Sequence, residues 1–334
     1  MSAVPRVTVL MASYNAGRFL DAAIRSVVEQ TFRDWEFLIV DDASGDGSRE
    51  MAAQWAERDA RIRLITNLKN KGQTLCLNQG LREARGEWVA RQDADDLSHP
   101  LRLARQFEWV TCHPETALLG TAGRMIDATD RLRGLLDVPA THRAIQKAAL
   151  FLNPFLHTSV FFRTRIIRDE FGGYDPAYRI SQDYDLWARV IARHPAANLQ
   201  NRLVCYRHLD QSLSKAGCSR AYLEAAQIAD RLGHHRLDAG KLRSLCALRE
   251  GRPTSGTALA RSLSVLGRDL TGGDRLAWRR YSAALLLRAA GAWGSERPRT
   301  ALSALGLLGT LGQAFFQQPA LVASWLAERF LKSG

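Results

Sequence analysis

The sequence predicts an α/β fold with a mainly parallel central sheet, of the kind that binds ligands at one edge. In the first half of the chain, short apolar and β-rich runs alternate with segments whose apolar residues recur at helical spacing. Strands and helices that alternate in this way form a parallel sheet covered by helices on both faces. Two of the apolar runs end abruptly in clusters of aspartate. Because ligands bind where parallel strands deliver their carboxyl ends, these clusters mark a candidate site.

The predicted elements follow one another in a regular order up to residue 92. The strands are Val7–Met11, Trp35–Val40, Arg61–Thr66 and Glu87–Gln92, and the helices are Arg18–Gln30, Ser48–Arg58 and Gln73–Arg85. One face of the first helix carries its apolar residues, namely Phe19, Leu20, Ala23, Ile24 and Val27. After residue 143 the pattern is mixed and predicts a short helix, a strand at Ser159–Arg163, a helix at Asp183–His194 and a strand at Asn198–Tyr206.

The composition indicates a globular intracellular protein. Of the 334 residues, 46% are hydrophobic and 24% are charged, which argues against an intrinsically disordered chain. The five cysteines include no Cys-x-x-Cys pair, so neither a zinc ribbon nor a disulfide framework is supported, and reduced thiols in the cytoplasm are expected. The apolar run Val7–Met11 is too short for the core of a signal peptide, and we therefore expect no export.

Residues 216–334 differ from residues 1–215 in pattern and charge, which predicts a domain boundary near 215. They contain 17 lysines and arginines against 8 aspartates and glutamates, whereas residues 1–215 contain 29 and 26. Their composition predicts an all-α extension, within which Thr300–Ala327 carries no charged residue. Two interpretations remain open, a solvated basic subdomain or an association with the membrane or with the acceptor. No nucleic-acid-binding module accompanies the charge, so no nucleic acid is expected as a partner.

The cluster Asp93-Ala94-Asp95-Asp96 has the chemistry of a divalent-cation site. Mg²⁺ and Mn²⁺ accept oxygen ligands, and one or two carboxylates suffice when phosphate oxygens complete the coordination shell. In an extended stretch, Asp93 and Asp95 would face the same side while Asp96 faces away. A lone Asp-x-Asp is a weak signal because acidic turns are common. Its position at the end of a predicted strand strengthens the functional interpretation.

Further motifs accompany the two aspartate clusters in a fixed order. They are Val7-Thr-Val-Leu-Met-Ala-Ser-Tyr-Asn15, Ser26-Val-Val-Glu-Gln-Thr-Phe32, Glu36-Phe-Leu-Ile-Val-Asp-Asp-Ala-Ser44, Asn70-Lys-Gly72, Leu77-Asn-Gln-Gly80, Gly86-Glu-Trp-Val89, His157-Thr-Ser-Val160, Gly172-Gly-Tyr-Asp175, Gln182-Asp-Tyr-Asp-Leu-Trp187 and Tyr206-Arg-His208. Any one of them is a weak signal, whereas the ordered set is specific. By these motifs residues 1–215 resemble glycosyltransferase family 2, the inverting enzymes of the GT-A fold.

The resemblance implies a function and a role for each matching residue. It implies transfer of a sugar from a nucleotide-diphosphate donor to a hydroxyl of a glycan or lipid-linked acceptor, with Mg²⁺ or Mn²⁺ as cofactor and a modest bias to UDP-sugars. Asp183 would be the general base, and Asp95 the principal metal ligand with Asp96 beside it. The residues implied to contact the donor are Ser13, Tyr14, Asp41, Asp42, Asn78, Asp93 and Asp95. A role in cell-envelope or exopolysaccharide synthesis, on the cytoplasmic side of the membrane, would follow.

One motif departs from the family pattern, and several residues have a structural alternative. Gln182 replaces the usual glutamate before the base, and the loss of that charge is expected to lower the pKa of Asp183. Either of the aspartates at 41 and 42, and Asp183 as well, could instead cap a helix. Leu186 and Trp187 are expected in the core rather than in contact with the acceptor. His157 and His208 are either metal or phosphate ligands or structural residues, and Tyr174 either lines the acceptor site or packs in the core.

Two other functions remain open at this stage. A catalytically inactive transferase domain could act as a binding or scaffold protein, although the retained carboxylates argue against it. A sugar nucleotidyltransferase would share the parallel sheet, but it usually carries a glycine-rich loop that ends in a basic residue, where this chain has Ser13-Tyr14-Asn15-Ala16-Gly17-Arg18. A dinucleotide-dependent dehydrogenase is disfavoured because no Gly-x-Gly-x-x-Gly follows the first strand.

Overall fold

The computed structural model describes residues 4–149 and 153–209, together with residues 224–225, 227–228 and 231–232. The predicted boundary near 215 and the predicted extension 216–334 lie outside the described residues, apart from those six. The membrane contact expected of the extension therefore stays a prediction. Within the described ranges, no helix is both long enough and apolar enough to span a bilayer.

The first half of the chain folds as the alternating pattern predicts. Its strands are β1 (Val7–Ser13), β2 (Trp35–Asp41), β3 (Ile62–Thr66) and β4 (Trp88–Arg91), and its helices are α1 (Leu20–Val28), α2 (Ser48–Arg58) and α3 (Gln73–Glu83). The helix predicted from Arg18 begins instead with a 3₁₀ turn, Gly17–Phe19, because the chain enters it through Gly17 with a positive φ of 54°.

The second half contains elements that the sequence pattern did not reveal. They are β5 (Leu97–Ser98), α4 (Arg102–Cys112), β6 (Leu118–Ile126) and β7 (Leu132–Leu136). The remaining elements are α5 (His142–Ala149), β8 (Phe161–Arg163), α6 (Gln182–Ile191) and β9 (Ala196–Arg207). Two of these strands lack the alternation of apolar and polar residues that predicts a strand, because β5 has only two residues and most of β7 faces solvent.

Among the described residues, nine strands form one sheet in the order β3-β2-β1-β4-β8-β6-β9-β5, with β7 paired to β6. The pairs β3-β2, β2-β1 and β1-β4 are parallel, as predicted. Beyond β4 the sheet is mixed, because β8 runs antiparallel to both β4 and β6, whereas β9 runs parallel to β6. The prediction of a mainly parallel sheet is therefore correct for β1 to β4, two of which lead into the acidic clusters. The remaining part of the sheet contains both parallel and antiparallel pairs.

Helices cover both faces of the parallel half. The predicted apolar face of α1, which carries Leu20 and Ile24, is buried in one core with Val9 and Phe37 of the sheet. Full burial of an aliphatic side chain of this size stabilises the fold by about 1.5–3 kcal/mol. On the other face α3 lies against β1 so closely that a Cβ atom at Gly80 would be 2.2 Å from Cδ1 of Leu10. The two helical layers hold β1, β2 and β4 in place, and with them the residues at their carboxyl ends.

Candidate active site

The carboxyl ends of three parallel strands bring the predicted site residues to one edge of the sheet. In the register of the strands Ser13 lies beside Asp41, and Leu10 lies beside Arg91. Asp42 directly follows β2, and Asp93 follows β4 by two positions. The two aspartate clusters therefore lie on the same side of the sheet, as the alternating pattern predicts.

The Asp42 carboxylate organises the loop that leads into α3. It accepts hydrogen bonds from the amide of Asn67 at 3.1 Å, from the N–H of Lys71 at 2.9 Å and from the N–H of Gly72 at 2.7 Å. Burial alone would raise the pKa of Asp42, but these donors outweigh burial and hold the pKa below its ordinary value. Asp42 is thus an ionised group that fixes residues 67–72 beside the strand ends, so a direct contact with the base of a nucleotide stays a prediction.

Two buried polar atoms at the ends of β1 and β2 lack a partner. Asp41 accepts a hydrogen bond from the N–H of Ser44 at 3.1 Å through one carboxylate oxygen, and the Ser44 hydroxyl in turn accepts from the N–H of Asn15 at 3.0 Å. The other carboxylate oxygen of Asp41 and the hydroxyl of Ser13 have none within the part of the chain that the structure describes. Tyr14, in the next position, is 53% exposed. Because buried polar groups are nearly always satisfied, these atoms fit a ligand that supplies a donor and an acceptor.

The acidic cluster forms a turn rather than the extended stretch considered above. The N–H of Asp96 points back to the carbonyl oxygen of Asp93 at 3.4 Å, and residues 94 and 95 occupy the turn. Asp93 and Asp95 are half-buried, whereas Asp96 is buried. The expectation of an extended backbone is therefore wrong. The physical reason lies in two buried arginines that bind this segment from either side.

Arg91 neutralises Asp93, the first carboxylate of the turn. Its guanidinium is fully buried, forms an ion pair with Asp93, and donates to the carbonyl oxygens of Leu10 and Gln92. A buried arginine needs such partners, because an uncompensated charge in the core is strongly unfavourable. Asp93 is consequently committed to a protein cation, which suits it to a contact with a ribose or sugar hydroxyl better than to a metal.

Arg207 anchors the rest of the turn. Its Nε donates to the carbonyl oxygen of Asp95 at 2.7 Å, and its backbone N–H donates to the carboxylate of Asp96 at 2.6 Å. The same guanidinium donates to the carbonyl oxygen of Asp127 and forms an ion pair with Asp130 at 2.6 Å. Arg207 thereby ties the turn to the connection between β6 and β7, and its side chain is 2% exposed.

Neither arginine was predicted from the sequence as a site residue. A charged residue inside the predicted buried strand Glu87–Gln92 was a signal for Arg91, because such a residue must be paired. For Arg207 the only signal was its place in the matching motif Tyr206-Arg-His208.

Three carboxylates crowd together at the turn, and the pKa of two of them, Asp95 and Asp96, is raised. Burial and the charge of Asp93 raise the pKa of Asp95 to about 6. Burial and the charges of Asp93 and Asp95 raise the pKa of Asp96 well above its ordinary value. No ion pair engages Asp95 among the residues described, and one carboxylate oxygen of Asp96 is buried without a partner there. The turn therefore concentrates carboxylates whose ionised forms a bound cation would stabilise.

These features fit a divalent cation that is shared with a phosphate ligand. Within the described ranges, no three side chains of the histidine, cysteine, aspartate and glutamate types converge on one point, so the protein alone does not form a complete cation cage. Mg²⁺ and Mn²⁺ sites with bound nucleotides need only one or two carboxylates. The uncompensated Asp95 and the unpaired oxygen of Asp96 supply that number. The roles of both residues as metal ligands stay a prediction.

Asp183 lies in the first turn of α6, which begins at Gln182 and has Ser181 as its N-cap residue. One carboxylate oxygen accepts from the amide of Asn153 at 2.7 Å, and the other accepts from the N–H of Tyr184 at 2.8 Å. Burial is the largest influence and raises the pKa of Asp183 to about 6, despite these two donors, with a further contribution from Asp93. A carboxylate with a pKa near neutrality has the proton affinity that a general base requires. The effect of burial on the pKa of Asp183 is therefore larger than the decrease expected from the neutral Gln182.

Asn78 has a structural partner. Its amide donates to the carbonyl oxygen of Tyr174 at 2.7 Å and accepts from the N–H of Tyr174 at 2.8 Å. This pair holds the turn at Gly173, whose φ is +83° and where a Cβ would lie 2.4 Å from the amide oxygen of Asn78. A contact between Asn78 and the donor stays a prediction, and the observed contribution of Asn78 is to fix this turn.

The aromatic residues near α6 form a packed wall. Leu186 and Trp187 are fully buried, which confirms their expected place in the core. The ring of Tyr174 packs against Trp187, and its hydroxyl lies 3.3 Å from Nε2 of His157. Burial lowers the pKa of His157 to about 3, so this histidine is neutral. His208 is exposed, and its backbone N–H donates to the carbonyl oxygen of Ile126 at 2.8 Å.

Residues 8–171 match the family described as Glycosyl transferase family 2. The O-antigen biosynthesis glycosyltransferase WbnJ of Escherichia coli is 31% identical to the chain over 229 residues, which cover 66% of the chain and 85% of WbnJ. The family match runs from β1 to just beyond β8 and therefore includes the acidic turn, and it ends before α6 and Asp183.

Two solved structures share the fold at low sequence identity. TarS of S. aureus in complex with UDP-GlcNAc has a TM-score of 0.60 at 13% identity, with coverage of 93% of this chain and 92% of TarS. The mannosyltransferase PcManGT of Pyrobaculum calidifontis in complex with GDP-Man and Mn²⁺ has a TM-score of 0.57 at 20% identity, with coverage of 97% and 84%. At these identities the likeness concerns the fold alone.

Proposed function

The chain belongs to glycosyltransferase family 2 and has the GT-A fold, and from this premise we propose that it transfers a sugar from a nucleotide-diphosphate donor to an acceptor hydroxyl with inversion at the anomeric carbon. That it is a glycosyltransferase follows from the family. The observation that carries the finer proposal is the pairing of two carboxylate groups at one sheet edge. One is the acidic turn with its three crowded carboxylates, and the other is Asp183 with its raised pKa.

The two groups serve opposite sides of the reaction. Asp95 and Asp96 would hold a divalent cation, which when bound neutralises the charge that develops on the departing diphosphate. Arg207 keeps the backbone of the acidic turn in place. Asp183 would accept the proton of the acceptor hydroxyl as that oxygen forms its bond to the anomeric carbon and the bond to the diphosphate breaks. Asn153 and the N–H of Tyr184 orient the carboxylate for this step.

The donor site would consist of the residues at the ends of β1 and β2. The unsatisfied hydroxyl of Ser13 and the unsatisfied oxygen of Asp41 support a polar ligand at this place, and the exposed ring of Tyr14 offers a stacking surface beside them. Asp42 would fix the loop at residues 67–72 against the nucleotide. The two solved structures bind UDP-GlcNAc and GDP-Man, and we retain the modest preference for UDP that the resemblance implies.

The acceptor is proposed to be a glycan or a lipid-linked saccharide. The support is the relative WbnJ, which is named for O-antigen biosynthesis. The basic residues 216–334, with 17 lysines and arginines against 8 acidic residues, would bring the enzyme to an anionic membrane where such acceptors reside.

Donor binding can be tested by thermal unfolding of the full chain with UDP-, GDP- and dTDP-sugars, each with and without Mn²⁺. A ligand that binds the native state at a hundredfold excess over its dissociation constant stabilises that state by about 2.7 kcal/mol. We expect one nucleotide class to raise the melting temperature, and only in the presence of Mn²⁺. No shift with any donor would favour an inactive transferase domain that serves as a scaffold.

The rate of transfer should depend on pH through Asp183. Because burial raises the pKa of this carboxyl to about 6, the base is protonated below that pH and ionised above it. We expect kcat to fall as the pH is lowered through about 6 and to reach a plateau above it, provided that the cation is saturating. A rate that stays constant between pH 5 and about 7.5 would show that the general base is another group.

A further inference from the structure

Two glutamine side chains connect the acidic turn to the first residue of α6. Nε2 of Gln73, at the start of α3, donates to Oδ1 of Asp93 at 3.4 Å. Oε1 of Gln73 accepts from Nε2 of Gln182 at 3.1 Å. Gln182 is 4% exposed, and its Oε1 has no hydrogen-bond partner in the described part of the chain. The row of amides therefore ends on an unsatisfied acceptor, one residue before Asp183.

The direction of each amide follows from the carboxylate at the other end of the row. Asp93 is paired with Arg91 and can only accept, so Gln73 must present its NH₂ group to Asp93. Oε1 of Gln73 then faces Gln182, which must present its own NH₂ group in turn. Oε1 of Gln182 is the atom that remains, and it is a hydrogen-bond acceptor without a donor.

A glutamate at position 182 would not fit this row. Its carboxylate has no proton to donate to Oε1 of Gln73, and rotation of Gln73 would only turn that oxygen towards Asp93 instead. A glutamate would also add a negative charge to a site that contains Asp93, Asp95, Asp96 and Asp183. The departure from the family pattern at Gln182 is therefore matched by Gln73, and the pair replaces a charged group with a neutral acceptor.

We propose that Oε1 of Gln182 accepts a hydrogen bond from a hydroxyl of the donor's sugar and so contributes to sugar specificity. This inference rests on the proposed function. Buried acceptors are nearly always satisfied, so a ligand that carries O–H groups is the expected partner. The amide lies between Asp93 on the diphosphate side and Asp183 on the side of the attacking hydroxyl. In the proposed site, the sugar of the donor would occupy the space between those two positions.

The test compares nucleotide-sugars with their nucleoside diphosphates in the Gln182→Met variant. Affinities for UDP-glucose, UDP-GlcNAc and GDP-mannose, and for UDP and GDP, are measured by calorimetry with Mn²⁺ on the full chain. We expect the affinity for the sugar donor that binds the unchanged protein to fall about tenfold, the effect of one hydrogen bond, while the affinity for the matching diphosphate stays the same. Gln146→Met is the matched control, because Gln146 donates to the carbonyl oxygen of Ile191 at the opposite end of α6.

Each other outcome has a distinct meaning. Equal weakening of the diphosphate and the nucleotide-sugar would overturn the inference and make Gln182 a structural residue. Unchanged affinity for both, with a change only in the KM for an acceptor, would overturn it in favour of an acceptor contact. If the unchanged protein binds the diphosphates but none of the sugar donors more tightly, the inference is wrong while the nucleotide site stands. If it binds no nucleotide at all, the proposed function fails as well.

Discussion

Asp183→Asn is expected to lower kcat by about 10²–10⁴-fold, the usual contribution of a general base, while donor binding remains intact. The asparagine keeps the shape of the side chain and can still accept from the N–H of Tyr184, but it cannot take a proton from the acceptor. The measurement is transfer from the donor identified by thermal unfolding, together with the dissociation constant of that donor.

The same substitution should not destabilise the unliganded protein. Since burial raises the pKa of Asp183 above that of an unfolded aspartate, its favourable contribution to stability is present at low pH and is lost as the pH rises through about 6. At pH 7.5 the buried ionised carboxylate therefore destabilises the fold, and the neutral amide removes this effect. Because the new NH₂ group cannot accept the hydrogen bond that Asn153 donates to Asp183, the gain is offset and the melting temperature should stay about the same. Asp169→Asn, which alters an exposed carboxylate paired with Arg168, is the matched control. Transfer by Asp183→Asn at the parent rate would place the general base elsewhere.

Asp95→Asn is expected to abolish the dependence of nucleotide binding on Mn²⁺ and to lower kcat/KM by about 10²–10⁴-fold. The reason is that the charge on the departing diphosphate would lose several kcal/mol of stabilisation. Among the described residues Asp95 forms no ion pair, whereas Asp93 is paired with Arg91, and burial together with Asp93 raises the pKa of Asp95 to about 6. Its replacement by a neutral amide should raise the melting temperature of the unliganded protein, because the crowding of carboxylates is relieved.

The control for Asp95 is Asp59→Asn, which removes a carboxylate paired with Arg61 at the far end of α2. The readout separate from catalysis is the Mn²⁺-dependent shift in melting temperature with the nucleoside diphosphate. Persistence of that shift in Asp95→Asn, with turnover intact, would remove Asp95 from the metal role and leave Asp96 as the residue to test.

The sequence predicted the parallel half of the fold because that half follows simple periodicity. Apolar runs such as Val7–Met11 become strands buried on both faces, and the apolar face of α1 packs as its spacing indicates. The alternation of strands and helices also predicted that Asp42 and Asp93 lie at the same edge of the sheet. The strands β5 and β7 could not be predicted in the same way, since one has two residues and the other is an exposed hairpin strand.

The site itself was only partly accessible to sequence reasoning. The carboxylates were visible as motifs, but their electrostatic state depends on residues distant in sequence, such as Arg207, which anchors the turn from 112 positions away. The backbone conformation at Asp95 depends on that contact, which explains why an extended stretch was the wrong expectation. In the same way, the amide pair of Gln73 and Gln182 spans 109 positions and leaves no periodic trace. Such contacts are decided by tertiary packing and not by local propensity.

The proposed function requires that the acidic turn and Asp183 belong to one nucleotide-sugar site. The most direct test is a crystal structure of the Asp183→Asn variant with Mn²⁺ and the donor that stabilises the protein, with the cation located by its anomalous scattering. We expect the manganese beside Asp95 and the diphosphate, and the anomeric carbon of the sugar on the path between the diphosphate and residue 183. A manganese ion away from the acidic turn, or a sugar whose anomeric carbon faces away from residue 183, would show that the two do not form one site.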